Sequence, residues 1–143
     1  MRPAHPEEPP TPAEAAARAA EQERQRQVEV AFLEGVRARL PGHPAVVESL
    51  GCLYTEMGRY QEGLRADREM VRMEPRSPTA WYNLACSLAL TGQPDEAFGA
   101  LEKAIALGYD DAEWMREDED FAPIRDDPRF ARLLAALLAR QGG

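Results

Sequence analysis

Apolar residues recur every three or four positions in two neighbouring stretches of the chain, and a glycine interrupts each stretch. This spacing predicts amphipathic α-helices that bury one face. Because glycine readily ends a helix, we predict two helices that reverse at Gly58 and face each other. The stripe before Gly58 comprises Val46, Val47, Leu50, Leu53, Tyr54 and Met57, and the stripe after it comprises Leu64, Met70, Val71 and Met73.

The second stretch has the same organisation around the segment WYNLACSLALTGQPDEAF, residues 81–98. Gly92 closes one predicted helix, and Pro94 begins the next, where the amide hydrogen that proline lacks is not needed. Asp95 and Glu96 then lie at the positive end of the new helix dipole. One continuous helix would leave the two apolar stripes pointing apart, whereas this break lets them meet.

The two stretches form an internal repeat. A shift of 34 residues superposes residues 44–77 on residues 78–111. Chance would supply about two identities over this length from ordinary residue frequencies. The identical pairs are Pro44 and Pro78, Leu50 and Leu84, Cys52 and Cys86, Gly58 and Gly92, Glu62 and Glu96, and Ala66 and Ala100.

Small residues occupy equivalent places in both units. Gly51 and Ala85 lie in the first helix of each unit, and Gly63 and Ala97 lie in the second. A leucine at these positions would hold the two helices apart, so we expect the helices to approach closely there.

The N-terminal flank carries weaker signals. Residues 1–10 contain four prolines and no apolar periodicity, so we expect a flexible leader. Thr11, Pro12 and Glu14 form a helix start signal, and residues 13–27 are polar nearly all round, which predicts a weakly held helix. The segment LPGHP stops this helix at Pro41 and Gly42. The positions expected to dock on the rest of the protein are Val28, Ala31, Phe32, Gly35, Val36 and Leu40.

The repeat resembles the tetratricopeptide repeat, which is a helix-turn-helix unit of 34 residues. The second unit matches the signature at Trp81, Leu84, Ala85, Leu88, Ala97, Leu101 and Ala104, and the first at Leu50, Gly51, Tyr54, Gly63, Met70 and Pro75. The resemblance implies an all-α fold, a right-handed α-solenoid of helix-turn-helix repeats. Three positions depart from the signature: Val47, Asp67 and Tyr109. We expect Asp67 to loosen the packing of the first unit against its predecessor.

The resemblance also implies a domain layout over residues 11–141. Residues 11–41 are expected to form a leading helix or a degenerate repeat, followed by repeats at 44–77 and 78–111. Residues 112–141 resemble the closing segment of bacterial tetratricopeptide proteins, in which a short helix, an acidic turn and an amphipathic helix cap the stack. Asp127 and Pro128 start that last helix. Its apolar face comprises Phe130, Leu133, Leu134, Leu137 and Leu138.

In tetratricopeptide proteins the first helix of each unit lines an inner surface that holds partner peptides or helices. Here the residues in that register contain two glutamates and no lysine or arginine, which favours a basic or mixed apolar-polar partner segment. Only Asn83 matches the residues with which some members hold a C-terminal carboxylate, so we expect no such clamp. The candidate partner-binding residues are Glu48, Ser49, Cys52, Thr55, Glu56, Thr79, Tyr82, Asn83, Cys86, Ala89 and Leu90.

Four of these candidates have alternative interpretations. Tyr82 could be an amphipathic anchor for the partner, since tyrosine is frequent at binding hot spots, or it could be partly buried under the next unit. Asn83 is common in the plain repeat and could be structural. Cys52 and Cys86 fall at equivalent places on adjacent helices, where disulfide geometry is rare and small buried thiols are usual.

Composition narrows the function classes. The net charge of −8, the pI near 4.8 and the single lysine, Lys103, disfavour nucleic acid and anionic lipid as partners. No apolar run is long enough to span a bilayer and the N-terminus lacks a signal-peptide core, so we expect a cytoplasmic protein. Two cysteines without further ligands predict neither a disulfide framework nor a metal site, and no cofactor is expected.

Catalytic chemistry has little support in the chain. His5 falls in the leader and His43 in a Pro-Gly turn, and neither has an evident carboxylate or nucleophile beside it. The acidic run at 117–120 lacks the spacing of a calcium loop and is interpreted as a solvated turn. Trp114, Phe121 and Phe130 are assigned to the core of the cap.

These observations predict a non-catalytic interaction module that holds a partner peptide or helix in its groove. Two alternatives stay open. The chain could be a regulatory or assembly subunit that uses its leading helix or its convex face, self-association included. It could also be an accessory domain of a larger enzyme.

Overall fold

The computed structural model describes residues 8–142, which form seven α-helices and one 3₁₀ helix and contain no strand. The part of the proposed leader at 1–7, His5 included, lies outside the described residues. The α-helices are α1 Pro12–Arg39, α2 Pro44–Glu56, α3 Tyr60–Met73, α4 Pro78–Leu90, α5 Pro94–Ala106, α6 Ala112–Glu117 and α7 Pro128–Gly142, with the 3₁₀ helix Glu119–Ile124 between α6 and α7.

Glycines and prolines set the helix ends where the sequence predicted them. Gly58 and Gly92 adopt φ values of 77° and 74°, a left-handed conformation that only glycine enters freely. Pro44, Pro78 and Pro94 each stand in the first turn of a helix. The chain therefore reverses between α2 and α3 and again between α4 and α5.

The helices stack in chain order. The pairs α2–α3 and α4–α5 pack internally, α4 packs on α3, and α1 lies against α2. The larger apolar cluster joins α4 and α5 to the C-terminal elements through Phe98, Leu101, Met115 and Phe121, which are all at most 2% exposed. The fold is thus an all-α solenoid closed at its C-terminal end.

The small residues lie at close helix contacts. A Cβ atom placed on Gly51 would come within 2.8 Å of the Asp67 carboxylate, and one on Gly63 would come within 2.8 Å of the Thr55 hydroxyl. Ala85 and Ala97 are fully buried. The prediction that size is what these positions require is therefore confirmed by the geometry.

The structure corrects the docking face of α1. Val28 and Phe32 are each 69% exposed and Leu40 is 54% exposed, whereas Val30 is buried at 4%. Helix α1 carries apolar residues on two faces, and α2 packs against the face of Val30 and Leu33. Among the other expected positions, Ala31 and Gly35 are exposed and Val36 is half-buried.

Polar contacts fix α1 on its neighbours. The Tyr54 hydroxyl donates a hydrogen bond of 2.6 Å to Glu34, and Arg37 forms an ion pair with Glu69 of α3. Thr11 and Glu14 form a capping box at the start of α1. Over residues 12–22 every side chain is exposed, so α1 projects beyond α2 as a single helix.

The C-terminal segment folds over the last repeat. Phe121 and Phe130 are buried as predicted, but Trp114 is 59% exposed and does not belong to the cap core. In α7, Leu137 is buried, Leu133 and Leu134 are half-buried, and Leu138 is 41% exposed. The backbone N–H of Arg129 donates to the Asp127 side chain, which caps the helix. In the described part of the chain, no helix has the length and apolar character needed to cross a membrane.

Candidate functional site

A cavity of about 340 Å³, here named the central groove, lies between α2 and α4 and extends to α6 and the 3₁₀ helix. Helix α2 supplies one wall and α4 the other, because the two helices occupy equivalent places in successive units. None of the described residues that line it is lysine or arginine. The lining residues are Gly51, Cys52, Thr55, Glu56, Asp67, Tyr82, Asn83, Cys86, Ser87, Trp114, Asp118 and Asp120.

A second cavity of about 510 Å³, here named the α1–α2 cleft, opens beside the central groove. It shares Cys52 and Glu56 with the groove, so the two form adjoining parts of one surface. Its lining residues are Glu29, Phe32 and Leu33 from α1, and Glu48, Ser49, Cys52, Leu53 and Glu56 from α2.

Most of the residues predicted to bind a partner line one of these cavities, although this does not test the binding itself. Thr79, Ala89 and Leu90 lie outside both sets. Thr79 is exposed near the start of α4, and Ala89 is buried. The central groove gathers Thr55, Glu56 and Asn83, while Glu48 and Ser49 face the α1–α2 cleft.

Tyr82 is buried rather than presented to solvent, with 6% of its surface exposed. Its ring stacks on Tyr109 with centroids 4.3 Å apart, and its hydroxyl donates a 2.7 Å hydrogen bond to Asp118. Burial and this carboxylate raise the pKa of the Tyr82 phenol far above its usual range. The C-terminal segment therefore covers Tyr82, which corrects the alternative in which Tyr82 is an exposed anchor.

The two cysteines differ in exposure. Cys86 is buried, and its Sγ atom lies 3.8 Å from Asp118, whereas Cys52 is exposed and the expectation of two buried thiols is wrong for it. Partial desolvation of Cys52 and burial of Cys86 raise the pKa of the two thiols, and nearby carboxylates raise it further. Both thiols therefore stay protonated near neutral pH. Cys86, Asp118 and Asp120 offer three donor atoms within 4.8 Å of one another, and here the thiol acts as a hydrogen-bond donor to Asp118.

Asp67 is buried at the base of the central groove, with 5% of its surface exposed. The Ser87 hydroxyl of α4 donates a hydrogen bond to it, and Gly51 leaves space for its carboxylate. Burial raises the pKa of Asp67 to about 6, although the Ser87 hydrogen bond acts in the opposite direction. Asp67 therefore links α3 to α4 of the following repeat. The expectation that it loosens the packing against the preceding unit stays a prediction.

The acidic segment at 117–120 is more than a solvated turn. Asp118 and Asp120 are half-buried and line the central groove. Burial raises the pKa of Asp120, and the neighbouring charges of Asp118 and Glu119 add to the effect. Together with Glu56 and Asp67, these carboxylates give the groove an acidic lining.

Sequence reasoning missed the contributions of Trp114, Asp118 and Asp120 to this groove. The hydrogen bond from Tyr82 to Asp118 joins residues 36 positions apart, and helical periodicity carries no information about such a contact. The available signal was a tryptophan followed closely by four acidic residues beside the last repeat.

The second helical pair belongs to a known class of repeat. Residues 78–111, which contain α4 and α5, match the family model of the tetratricopeptide repeat. This pair is therefore a tetratricopeptide repeat, and the resemblance found in the sequence is confirmed. The bacterial type of C-terminal cap stays a prediction.

Two similar proteins place this fold among known ones. A chloroplastic protein from Arabidopsis thaliana is 30% identical over 87 residues, which are 59% of this chain and 26% of the relative. The chain thus spans about a quarter of that curated relative's length. A solved structure titled MamA MSR-1 C2 superposes with a TM-score of 0.64 at 19% identity, over 86% of this chain and 73% of the other. This likeness shows the fold.

Proposed function

We propose that this chain is a non-catalytic protein-interaction module that holds a basic peptide segment in its central groove. The observation that carries the proposal is the charge of the groove. Glu56 of α2, Asp67 of α3, Asp120 of the 3₁₀ helix and Asp118, which precedes that helix, converge on one cavity, in which no described lining residue is basic. Groups of like charge destabilise each other, so a cationic ligand would relieve the repulsion as well as pair with them.

The rim of the groove supports a ligand that also carries apolar side chains. Trp114 is 59% exposed and lines the groove beside the carboxylates. Exposed tryptophans are over-represented among the residues that dominate binding energy. A segment that alternates lysine or arginine with an apolar residue would place its charges over the carboxylates and its apolar side chains against the Trp114 ring.

Titration calorimetry with a synthetic 12-residue peptide of alternating lysine and leucine tests this proposal. We expect binding that weakens as salt is added, because much of the attraction is between partly solvated charges. A control peptide with glutamate in place of lysine should not bind. Equal binding of both peptides would contradict the proposal.

A pair of double variants locates the site. Glu56→Gln with Asp120→Asn removes two groove charges, each worth about 0.5–1 kcal/mol, so the affinity should fall about tenfold at low salt. Glu102→Gln with Asp110→Asn changes the net charge equally on exposed residues outside the groove, and this control should bind almost as the unmodified chain does. Equal losses in both variants would show that only net charge matters.

A further inference from the structure

We propose that two copies of this chain associate through α1, each copy placing residues 12–24 of its α1 in the α1–α2 cleft of the other. The association goes beyond peptide binding in the central groove and uses the adjoining cleft, which shares only Cys52 and Glu56 with the groove. It follows from comparing α1 with the two repeats that the same chain builds.

Helix α1 corresponds to a repeat whose two helices are fused. Moving back 34 residues from Gly58, where the first repeat reverses, leads to Arg24, where α1 continues without a break. Residues 26–39 then take the place that α3 has in its unit, and Val30, the counterpart of the buried Leu64, is itself buried. Residues 12–24 correspond to α2 but extend away from the stack, because a straight helix cannot fold back on itself.

The α1–α2 cleft is the place that such a first helix would occupy. In the central groove, α4 presents Tyr82, Asn83, Cys86 and Ser87 beside α2. The counterparts of these four residues one unit earlier are Glu48, Ser49, Cys52 and Leu53, which are the α2 residues that line the cleft together with Glu56. A helix placed in the cleft would therefore lie beside α2 in the same way as α2 lies beside α4.

The exposed apolar residues of α1 lie on the face that is covered in the complete units. Phe32 is the counterpart of Ala66 and Ala100, which are 2% and 4% exposed, but Phe32 is 69% exposed. Within residues 8–142 no element covers this side of α1. A large ring thus stands where both repeats bury a methyl group against their own first helix.

The N-terminal half of α1 has the pattern that this place requires. The four buried residues of α2 are Val47, Leu50, Gly51 and Tyr54. Their counterparts are Ala13, Ala16, Ala17 and Ala20, whereas the counterparts of the exposed Glu48, Cys52 and Glu56 are the polar Glu14, Arg18 and Gln22. Alanine, the strongest helix former, also occurs outside this face at Ala15 and Ala19. What distinguishes the face is that it carries no polar side chain from residue 13 to residue 20. The small alanines complement the bulk of Phe32.

A two-fold arrangement fills both clefts at once. Across the α2–α3 pair, a Cβ atom built on Gly51 lies 3.4 Å from that of Ala66, and the counterparts of these residues are Ala17 and Phe32. The midpoint between positions 17 and 32 lies within one residue of the centre of α1, Pro12–Arg39. An antiparallel pairing of two α1 helices in this register therefore overlaps them along nearly their full length. Such closed two-fold contacts are the commonest form of self-association.

The charges near the two-fold axis are already compensated within each copy. Arg24 pairs with Glu21 at 2.6 Å, and Arg26 lies 3.5 Å from Glu56. The arginines of the two copies that approach at the axis therefore each bring a carboxylate with them.

Mass measurement by light scattering on the full chain tests the association. We expect twice the 15.9 kDa of one chain at micromolar concentration. Ala16→Glu places a charge on the face proposed to be buried and should halve this mass. Ala15→Glu, at the counterpart of the exposed Ser49, is the matched control and should leave it unchanged. Both alanines are exposed within one copy, so neither variant disturbs the fold of that copy. A monomeric mass for the unmodified chain, or equal effects of the two variants, would overturn the proposal.

A disulfide tests the register. Ala17→Cys with Phe32→Cys, in a Cys52→Ser background, places two thiols where the repeat geometry brings Cβ atoms within the range that disulfides need. On one straight helix these positions are about 22 Å apart, so the bond can form only between copies. We expect a covalent dimer on mild oxidation. Ala15→Cys with Phe32→Cys is the control and should remain monomeric on denaturing gels. If the variant dimerises but no disulfide forms between position 17 of one copy and position 32 of the other, the proposed arrangement is wrong.

Discussion

The two ends of the stack are built differently. At the C-terminal end, the segment after α5 folds back over the last repeat and buries Tyr82, Phe121 and Phe130. At the N-terminal end, Val28 and Phe32 of α1 remain largely exposed. A solenoid buries apolar surface only between neighbouring units, so each end needs a cover. The chain supplies its own cover at one end, and we propose that a second copy supplies it at the other.

The largest expected difference between the ends comes from equal truncations of two phenylalanines. Phe121→Ala removes a fully buried ring and should lower the free energy of unfolding by about 3–5 kcal/mol. Phe32→Ala, made in the Ala16→Glu background to keep the chain monomeric, should change it by less than about 0.5 kcal/mol. Urea unfolding followed by circular dichroism measures both. Similar losses would mean that the two ends are packed alike.

The next effect concerns the buried carboxylate that joins the repeats. Burial raises the pKa of Asp67 from 3.8 to about 6, so the folded protein prefers the protonated form. Stability from this residue is therefore fully present below pH 4 and is lost as the pH rises through 6. Asp67→Asn keeps an acceptor for Ser87 and should stabilise the protein by about 2–3 kcal/mol at pH 7.5.

The control for Asp67→Asn is the same comparison with the unmodified chain, made at low pH. The stabilisation should disappear at about pH 3, which is below the pKa of the aspartate in both the folded and the unfolded state. Urea midpoints at the two pH values provide the comparison. A gain of equal size at both values would point to packing instead of ionisation.

Two tyrosine–carboxylate hydrogen bonds offer a smaller comparison between the ends. Tyr82→Phe leaves the half-buried Asp118 without its 2.7 Å donor and should cost about 1–2 kcal/mol. Tyr54→Phe removes the 2.6 Å bond to Glu34, whose side chain is exposed to water, and should cost under about 1 kcal/mol. Thermal unfolding of the two variants checks the order. A larger loss for Tyr54→Phe than for Tyr82→Phe would contradict the view that the C-terminal segment is held on the stack more tightly than α1 is.

Much of this fold could be predicted from the chain because each helical pair is a local structure. The spacing of Leu50, Tyr54 and Leu64 and the break at Gly58 report on residues close in sequence. The docking face of α1 could not be predicted in the same way, because apolar residues lie on two of its faces. Periodicity identifies a stripe such as Val28 and Phe32 but does not identify the neighbour that covers it.

The candidate groove was predictable on the walls formed by the repeats and not at its C-terminal edge. Glu56, Asn83 and Cys86 followed from the repeat register. The positions of Trp114, Asp118 and Asp120 depend on how the last segment folds back over α4, which is a contact between distant parts of the chain. The same contact explains why Tyr82 is buried.

Hydrogen exchange along the whole chain, measured at several protein concentrations, tests the contrast between the two ends most directly. The backbone amides of α6, the 3₁₀ helix and α7 should be protected to the same degree at every concentration, because these elements pack on the repeats of their own chain. Amides at 16–24 should exchange rapidly in dilute solution and become protected as the concentration rises through the dissociation constant. Rapid exchange at 16–24 at every concentration would contradict the account.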